Sequence, residues 1–433
     1  QMRQGEQLTI LDLDYREAMW SSAEKSREKA NQAIDLASVV VGNRAECLMA
    51  LGTDEPNDAA EAILAKGVRL AVIKMGAEGA LFATAERSIR VSPFEIQPVC
   101  GLGAGDAFGG ALCHGLLQGW ELDKIGLAAN AAAVMRLDRD VYRSLVEARI
   151  FQPESFGKAL ASRSRRDIAG TDGNLLILAA DHTARGKISI GADQLAMADR
   201  FTLLERLLVG LSIPGVDGVL ASADILEELA WLGALDNKLA IGTINRGGII
   251  GANWEIDDRL SAYDADHVAS SGLDGGKTLL RIDYTDAATA STLEMVAAQI
   301  TKLADQKLMA MIEPLPYKKD SGGNAVLDSS DQELAKVVAI ASGLGSSSAY
   351  TWLKIPPSER FGEIAGATSM PILMLGGEPG SDPDPIFDLW SKTMQIDNVR
   401  GLVAGRTLLY PHDGDSEAAI WRAVAIVHGR KPQ

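Results

Sequence analysis

The sequence predicts an α/β protein in two blocks. A partial open α/β sheet spans residues 1–139, and an eight-stranded parallel (β/α)8 barrel spans 140–433. Three observations predict it. A chain of 433 residues exceeds the roughly 250 to 300 residues that a single core sustains. Short apolar runs alternate with helical stretches along its whole length, the pattern of sheets covered by helices. In the last 260 or so residues that alternation repeats eight times, which is the size of a TIM barrel.

In the first block the runs at 8–13, 37–41 and 70–74 read as strands of an open sheet. The join, near 136–173, contains Ser162-Arg163-Ser164-Arg165-Arg166 and then Gly170, Asp172 and Gly173, so a polar surface connection is expected there. Eight strands are expected beyond it, at 174–181, 215–222, 238–245, 277–284, 307–314, 349–356, 371–377 and 399–406. Helical patterns such as 203–211, 287–303 and 417–427 lie between them.

Composition narrows the function classes. Apolar residues make up 47% and charged residues 23%, ordinary for a globular protein. No apolar run reaches the roughly 18 to 20 residues of a membrane span, no signal peptide opens the chain, and a cytoplasmic enzyme is expected. Cys47, Cys100 and Cys113 lack paired spacing, which argues against a disulfide framework. A net charge of −16 disfavours nucleic acid or an anionic membrane as partner and leaves small molecules, phosphorylated ones included. A homo-oligomer is expected.

The chemistry centres on Lys354, in Tyr350-Thr351-Trp352-Leu353-Lys354-Ile355-Pro356-Pro357. A parallel strand covered on both faces is nearly all apolar, and burying an ammonium in it costs several kcal/mol, which drives the pKa down. A partly neutral lysine is a nucleophile toward carbonyl carbon. Lys354 also falls near the C-terminal end of the sixth expected strand, the end where barrel active sites gather. Other strands end in polar residues: Asp181-His182 on the first, Asn245-Arg246 on the third, Glu313 on the fifth. On the fourth, the period of two puts Arg281 and Asp283 on one face. The plain alternative is a structural ion-pair network within the barrel. Gly376-Gly377 after the seventh strand and Gly405-Arg406 closing the eighth stand where barrels bind phosphate. A metal-assisted mechanism would need clustered histidines, whereas His114, His182, His267, His412 and His428 are scattered.

Ala179-Ala180-Asp181-His182, Leu280-Arg281-Ile282-Asp283, Met311-Ile312-Glu313-Pro314, Trp352-Leu353-Lys354-Ile355-Pro356 and Val403-Ala404-Gly405-Arg406 resemble the class I aldolase superfamily of tagatose-bisphosphate and deoxyribose-phosphate aldolases, and in particular Cgl0159-type barrels encoded with inositol-catabolism genes. The resemblance implies Lys354 as the Schiff-base lysine, Asp181 and Glu313 as acid/base or lysine-positioning groups, and Gly377, Gly405 and Arg406 as phosphate contacts. The run His182-Thr183-Ala184-Arg185 departs from the commoner Asp-Gln-Arg-Gly type and leaves the substrate open.

In the first block Gly101-Leu102-Gly103-Ala104-Gly105-Asp106-Ala107-Phe108 precedes a helix, so that backbone N–H groups can converge on phosphate and Asp106 can take a proton from an attacking hydroxyl. With Asn43-Arg44-Ala45-Glu46 and Lys74-Met75-Gly76-Ala77-Glu78-Gly79 upstream, the block is similar to ribokinase-like (PfkB) sugar kinases of the 5-dehydro-2-deoxygluconokinase type. That resemblance implies Asp106 as base and Gly103, Ala104 and Gly105 as anion hole. It places Asn43 and Glu46 near phosphate and Mg2+, and Lys74, Gly76 and Gly79 beside bound ATP. Asp12, Asp14 and Arg16 match a strand-end polar motif or simply cap the next helix.

Such kinases carry a longer N-terminal portion with the sugar-binding glycines and lid, so the block as written holds a phosphate cradle and a base but little of a sugar pocket. The resemblances imply a bifunctional enzyme of inositol catabolism. ATP-dependent phosphorylation of 5-dehydro-2-deoxy-gluconate is followed by Schiff-base cleavage of the phosphorylated sugar acid to dihydroxyacetone phosphate and malonate semialdehyde, without a cofactor in the barrel. The alternative is an aldolase for another phosphorylated sugar, joined to a regulatory or oligomerising kinase-like domain.

Overall fold

The computed structural model describes residues 8–15, 20, 22–92, 104–134, 137, 139–170, 172–245, 249, 256–377, 380 and 382–429. The chain divides into two compact units, Gln1–Arg136 and Leu137–Gln433.

The first unit is a five-stranded sheet in the order β1-β2-β3-β4-β5, formed by β1 (Ile10–Asp12), β2 (Val39–Asn43), β3 (Leu70–Lys74), β4 (Ala80–Ala83) and β5 (Ser88–Val91). The first three strands run parallel and the last two antiparallel. Helices α1 (Ala23–Ile34), α2 (Arg44–Leu51), α3 (Pro56–Ala65), α4 (Ala104–Leu117) and α5 (Leu122–Val134) accompany it. Alternation along β2 and β3 sends Val40, Ala71 and Ile73 into one apolar cluster with Ile34, Cys47 and Ile63. Val39, Val41 and Val72 go into a second with Phe108, Leu112 and Ile125. The sheet is therefore apolar on both faces, as an open α/β sheet requires.

The second unit opens with α6 (Arg139–Phe151) and α7 (Glu154–Ser162), followed by the barrel strands β6 (Leu175–Ala179), β7 (Gly218–Ala221), β8 (Leu239–Thr243), β9 (Gly275–Ile282), β10 (Met309–Lys319), β12 (Thr351–Ile355), β13 (Ile372–Leu375) and β14 (Val399–Ala404). They pair in parallel, and β14 returns to β6 while β9 pairs with β10, so the barrel closes. Strand β11 (Ala325–Leu327) pairs antiparallel with the extended end of β10 and lies outside the ring. Helices α8 (Arg200–Ser212), α9 (Ala223–Trp231), α10 (Ala265–Ser270), α11 (Ala288–Asp305), α12 (Asp331–Ser342), α13 (Phe361–Ala365), α14 (Asp384–Thr393), α15 (Arg406–Leu409) and α16 (Ser416–His428) complete the unit. Several begin on side-chain caps, such as Ser330 accepting from Glu333 N and Asp415 from Ala418 N. Closure depends on Gly401: its φ is 133°, and a Cβ there would lie 1.9 Å from the Leu175 carbonyl oxygen.

The join carries two helices and an arginine-rich segment, of which Ser162, Ser164, Arg165 and Asp167 are exposed and Arg163 is buried. Amphipathic α6 buries Val141, Leu145 and Ala148, and Phe156 of α7 stacks on Trp231 with ring centroids 5.9 Å apart. The arginines that read as a polar linker are clamped to buried carboxylates: Arg163 to Asp274 at 2.5 Å, Arg165 to Asp274 at 2.9 Å and Arg166 to Asp217 at 2.6 Å. Their charge looked like solvation because Asp217 and Asp274 are distant in sequence.

His428 at the end of α16 joins the same network, 2.7 Å from Asp172 and 3.2 Å from Asp217. Burial pushes its pKa down, but Asp217 and Asp172 outweigh burial and lift it to about 9. A folded pKa above the ordinary value of about 6.5 gives stabilisation that is complete below that value and lost as pH rises through 9. His428→Gln is therefore expected to cost about 1–3 kcal/mol of unfolding free energy at pH 6 and almost nothing at pH 10. Denaturant titration across that range checks it, and a pH-independent difference would contradict it.

Candidate active site

The inside of the barrel is built by period-two alternation. Leu175, Ile177 and Ala179 of β6, Leu239 and Ile241 of β8, and Met309 and Met311 of β10 form one buried cluster with Leu220, Leu373 and Val403, against which Trp352 of β12 packs. Two residues further along the same faces stand Asp181, Glu313 and Lys354. The apolar filling thus ends in a charged layer at the C-terminal end of the strands.

A fourth residue completes that layer. Lys277 of β9 places its Nζ 3.1 Å from Asp181 Oδ2 and 2.6 Å from Glu313 Oε2. Lys354 Nζ lies 3.2 Å from the same Glu313 Oε2. Relative exposures are 1% for Lys277, 4% for Lys354, 5% for Asp181 and 7% for Glu313, so the four charges interact with little screening. Sequence reasoning passed over Lys277, although the signal that exposed Lys354, a lysine inside a fully buried strand, was present in Gly275-Gly276-Lys277-Thr278-Leu279.

The two lysines are not equivalent. Burial opposes charge on both, but Lys277 is flanked by Asp181 and Glu313, and their attraction raises its pKa. For Lys354 burial prevails: Glu313 pulls upward, Lys277 repels, and the pKa falls. Burial would raise the Asp181 carboxyl, yet Lys277, then His182 and Lys354, hold it far below the carboxylate range. Glu313, likewise resisted by burial, is brought to about 2 by Lys277 and Lys354. The arrangement sets one amine whose pKa burial lowers beside two ionised carboxylates.

His182 follows Asp181, its Nδ1 3.8 Å from Asp181 Oδ1. Burial lowers its pKa to about 3; Asp181 opposes this, and Lys354, Arg406 and Lys277 add to it, so the ring is neutral. Gly405 makes room for that ring: a Cβ there would lie 2.3 Å from the Ala179 carbonyl oxygen and 2.9 Å from His182 Cε1. Gly405 precedes α15, where Arg406 is 6% exposed, and Thr407 Oγ1 donates to the Gly376 carbonyl at 3.0 Å. Gly377, with φ 74°, takes a left-handed turn that favours glycine. The loops after β13 and β14 are thus joined beside the charged layer.

Arg281 and Asp283 are each held by local partners. Arg281 has no exposure and grips Asp258 in a bidentate pair, Nε to Oδ2 at 3.0 Å and Nη2 to Oδ1 at 2.6 Å. Asn245 reinforces the anchor by donating to the carbonyls of Asp258 at 3.2 Å and Leu279 at 2.8 Å. Asp283 Oδ1 accepts from Thr285 N at 2.8 Å and Thr285 Oγ1 at 2.7 Å, shaping the turn toward α11. Asp258, a loop residue, takes up the arginine. Arg246 lies outside the described residues.

In the first unit, Asp12, Asn43 and Lys74 end three adjacent parallel strands, Asn43 and Lys74 are register partners, and Lys74 Nζ lies 3.3 Å from Asp12 Oδ2. Asn43 and Glu46 form a capping box on α2: Asn43 Oδ1 accepts from Glu46 N at 2.9 Å and Glu46 Oε2 from Asn43 N at 2.7 Å. Burial raises the Glu46 pKa against the opposing Asn43 N–H and Lys74. Gly76 and Gly79, with φ 60° and 86°, shape the tight link from β3 to β4. Ala104, Gly105 and Asp106 occupy the first turn of α4; Gly103, Arg16 and Cys100 lie outside the described residues. Ligands of open α/β sheets bind at the C-terminal strand edge, where Asp12, Asn43 and Lys74 stand.

With this geometry in place, comparison with known proteins becomes decisive. The Cgl0159-like family model matches residues 173–424. The chain belongs to the Cgl0159-like family. The crystal structure of Cgl0159 from Corynebacterium glutamicum (Brevibacterium flavum) is similar with a TM-score of 0.66 and 43% identity, covering 68% of this chain and 99% of that one. Ahead of the Cgl0159-like barrel, residues 2–143 match the pfkB family carbohydrate kinase model. Curated relatives of that part include 5-dehydro-2-deoxygluconokinase of Clostridium tetani, 29% identical over 133 residues, covering 29% of this chain and 39% of the relative. 5-Dehydro-2-deoxygluconokinase 2 of Bacillus cereus is 30% identical over 137 residues, covering 30% of this chain and 41% of the relative. The chain therefore spans about two fifths of the length of these kinases. A pfkB-type block followed by a Cgl0159-like barrel is the fusion that the motifs implied.

Breaking a buried ion pair from one side costs about 3–5 kcal/mol. Arg281→Leu should lose that much stability in denaturant unfolding, whereas Arg281→Leu with Asp258→Leu should lose clearly less. Equal losses would remove the anchoring role.

Proposed function

We propose that the barrel is a class I aldolase acting through a Schiff base at Lys354, and that the chain joins it to a sugar-kinase half of the same pathway. The observation that carries this reading is the asymmetric lysine pair on Glu313, with Lys277 charged and Lys354 inclined to neutrality. Neutral Lys354 Nζ attacks the substrate ketone. The proton that Lys354 sheds on becoming neutral is taken by Glu313, and a proton of the attacking nitrogen passes to the ketone oxygen to give the carbinolamine. Glu313 returns its proton to the departing hydroxyl, leaving water and an iminium. The hydroxyl on the carbon next but one to the imine carbon then gives its proton to Asp181 or Glu313, the intervening carbon–carbon bond breaks, and its electron pair moves toward the iminium nitrogen. An aldehyde departs and an enamine remains, to be protonated and hydrolysed. Gly376, Gly377, Gly405 and Arg406 hold the substrate phosphate.

For the first unit, the pfkB-type relatives support phosphorylation of 5-dehydro-2-deoxy-gluconate with Mg-ATP. Asp106 takes the proton of the attacking hydroxyl, and Gly103, Ala104 and Gly105 offer backbone N–H groups to the transferred phosphate. Glu46 fits a role near Mg2+, since one carboxylate oxygen caps α2 and the second is not used by that cap; bound magnesium would screen the phosphate charge. Asn43, Lys74, Gly76 and Gly79 line the nucleotide side. The barrel then cleaves the phosphorylated sugar acid to dihydroxyacetone phosphate and malonate semialdehyde. The phosphate added in the first step is what Arg406 grips in the second.

Borohydride reduction in the presence of dihydroxyacetone phosphate should leave a covalent adduct on Lys354 and none on Lys354→Met. A clean mass spectrum of the wild-type protein would contradict the aldolase reading. In Lys277→Met the shared carboxylate falls to Lys354 alone, so adduct formation should drop at neutral pH and its profile should move to higher pH; Lys277→Arg should restore it. Loss of ATP turnover in Asp106→Asn, with nucleotide binding kept, tests the kinase half.

A further inference from the structure

The loop after β6 contains a cation that the proposed chemistry does not use. Asp181, His182 and the 3-10 turn Thr183–Arg185 follow the strand, and Gly186 closes the turn with φ 73°. The turn is tied by Arg185 N donating to the His182 carbonyl at 3.0 Å, Gly186 N to the Thr183 carbonyl at 3.0 Å and Lys187 N to the His182 carbonyl at 3.1 Å. Arg185 is thus fixed within four residues of Asp181. Its side chain is half-buried, its Nε is shut off from solvent without a hydrogen-bond partner, and among the described residues no carboxylate pairs with it. The carboxylates nearest in the layer, Asp181 and Glu313, are taken by Lys277 and Lys354.

Electrostatics point the same way. Arg185 bears on Lys277 as a like charge, while Arg406 bears on His182. Two guanidinium groups thus act on the charged layer of a chain whose net charge is −16. A guanidinium held near buried groups without a counter-ion is a prepared site for a planar anion.

We propose that Arg185 is an anion subsite of the barrel that takes the carboxylate end of a substrate whose other end carries phosphate. This deepens the aldolase reading and rests on it. A substrate with two anionic ends spans the charged layer, with its phosphate at Arg406 and the loops after β13 and β14, its ketone at Lys354 and its carboxylate at Arg185. The run His182-Thr183-Ala184-Arg185 then selects a sugar acid over a sugar bisphosphate.

The test uses the full chain with Arg185→Gln and Arg185→Lys. For the phosphorylated keto acid, Arg185→Gln should raise KM about 10–100-fold with kcat nearly unchanged, the loss expected from one charge-assisted hydrogen-bonded contact. Arg185→Lys should fall between. Trapping of dihydroxyacetone phosphate, which lacks the carboxylate, should change less than about threefold. Calorimetric binding of malonate, a small carboxylate probe, should weaken at least about tenfold in Arg185→Gln. An unchanged KM, unchanged malonate binding, or an equal fall in dihydroxyacetone phosphate trapping would overturn the proposal. So would a wild-type preference for fructose 1,6-bisphosphate that Arg185→Gln abolishes, since the subsite would then read a second phosphate. Lack of any Lys354 adduct with malonate binding still dependent on Arg185 would reject the aldolase reading and leave the carboxylate subsite standing.

Discussion

One carboxylate oxygen organises the barrel's charged layer. Glu313 Oε2 lies 2.6 Å from Lys277 and 3.2 Å from Lys354, and a single negative oxygen in a site of low dielectric cannot fully neutralise two ammonium groups. Asp181 breaks the symmetry by siding with Lys277 at 3.1 Å. Lys354 is left with the weaker share of one acid, a like charge beyond it and little exposure to solvent. Its tendency to shed a proton follows from that deficit. Two coupled amines on one acid titrate as a unit, so the behaviour belongs to the layer and not to either lysine alone.

The fold supplies the deficit by construction. Alternation along β6, β8 and β10 fills the lower barrel with Ile177, Ile241, Met309 and Met311, and the same alternation carries Asp181, Glu313 and Lys354 to the next level. Charges set on a dry apolar floor lose solvation and gain mutual interaction, and each must find its partner within the layer. Around this layer Arg281 holds Asp258, Thr407 joins Gly376, and Gly405 yields its side-chain volume to His182. Contacts of this kind keep the reacting groups in position before a substrate arrives, which is the condition for preorganised catalysis.

The fold was largely legible in the sequence because its signals are local. All eight barrel strands fall within the expected runs to within a few residues at their ends, apart from β10, which continues to Lys319 as part of a hairpin. Buried parallel strands announce themselves as continuous apolar segments. The charged layer was legible only where a polar residue interrupts such a segment near its end, as Asp181, Glu313 and Lys354 do. Lys277 stands at the start of its expected segment and was read past. Pairings between distant residues were not legible: Asp258 for Arg281, Asp274 for Arg163 and Arg165, and Asp217 for Arg166. Those partners sit in loops and strand edges whose proximity exists only after closure. The arginine-rich join therefore read as a solvated linker, and the carboxylates that Arg163, Arg165 and Arg166 hold were not read.

The account's central claim is the inequality of the two buried amines. Competitive acylation with trace acetic anhydride across pH, resolved by mass spectrometry of the lysine peptides in the intact folded chain, measures it directly. Lys354 is expected to gain reactivity at a lower pH than Lys277, below the ordinary lysine pKa of about 10.4, while Lys277 stays protected to higher pH. Equal titration of the two, or a more reactive Lys277, would contradict the account.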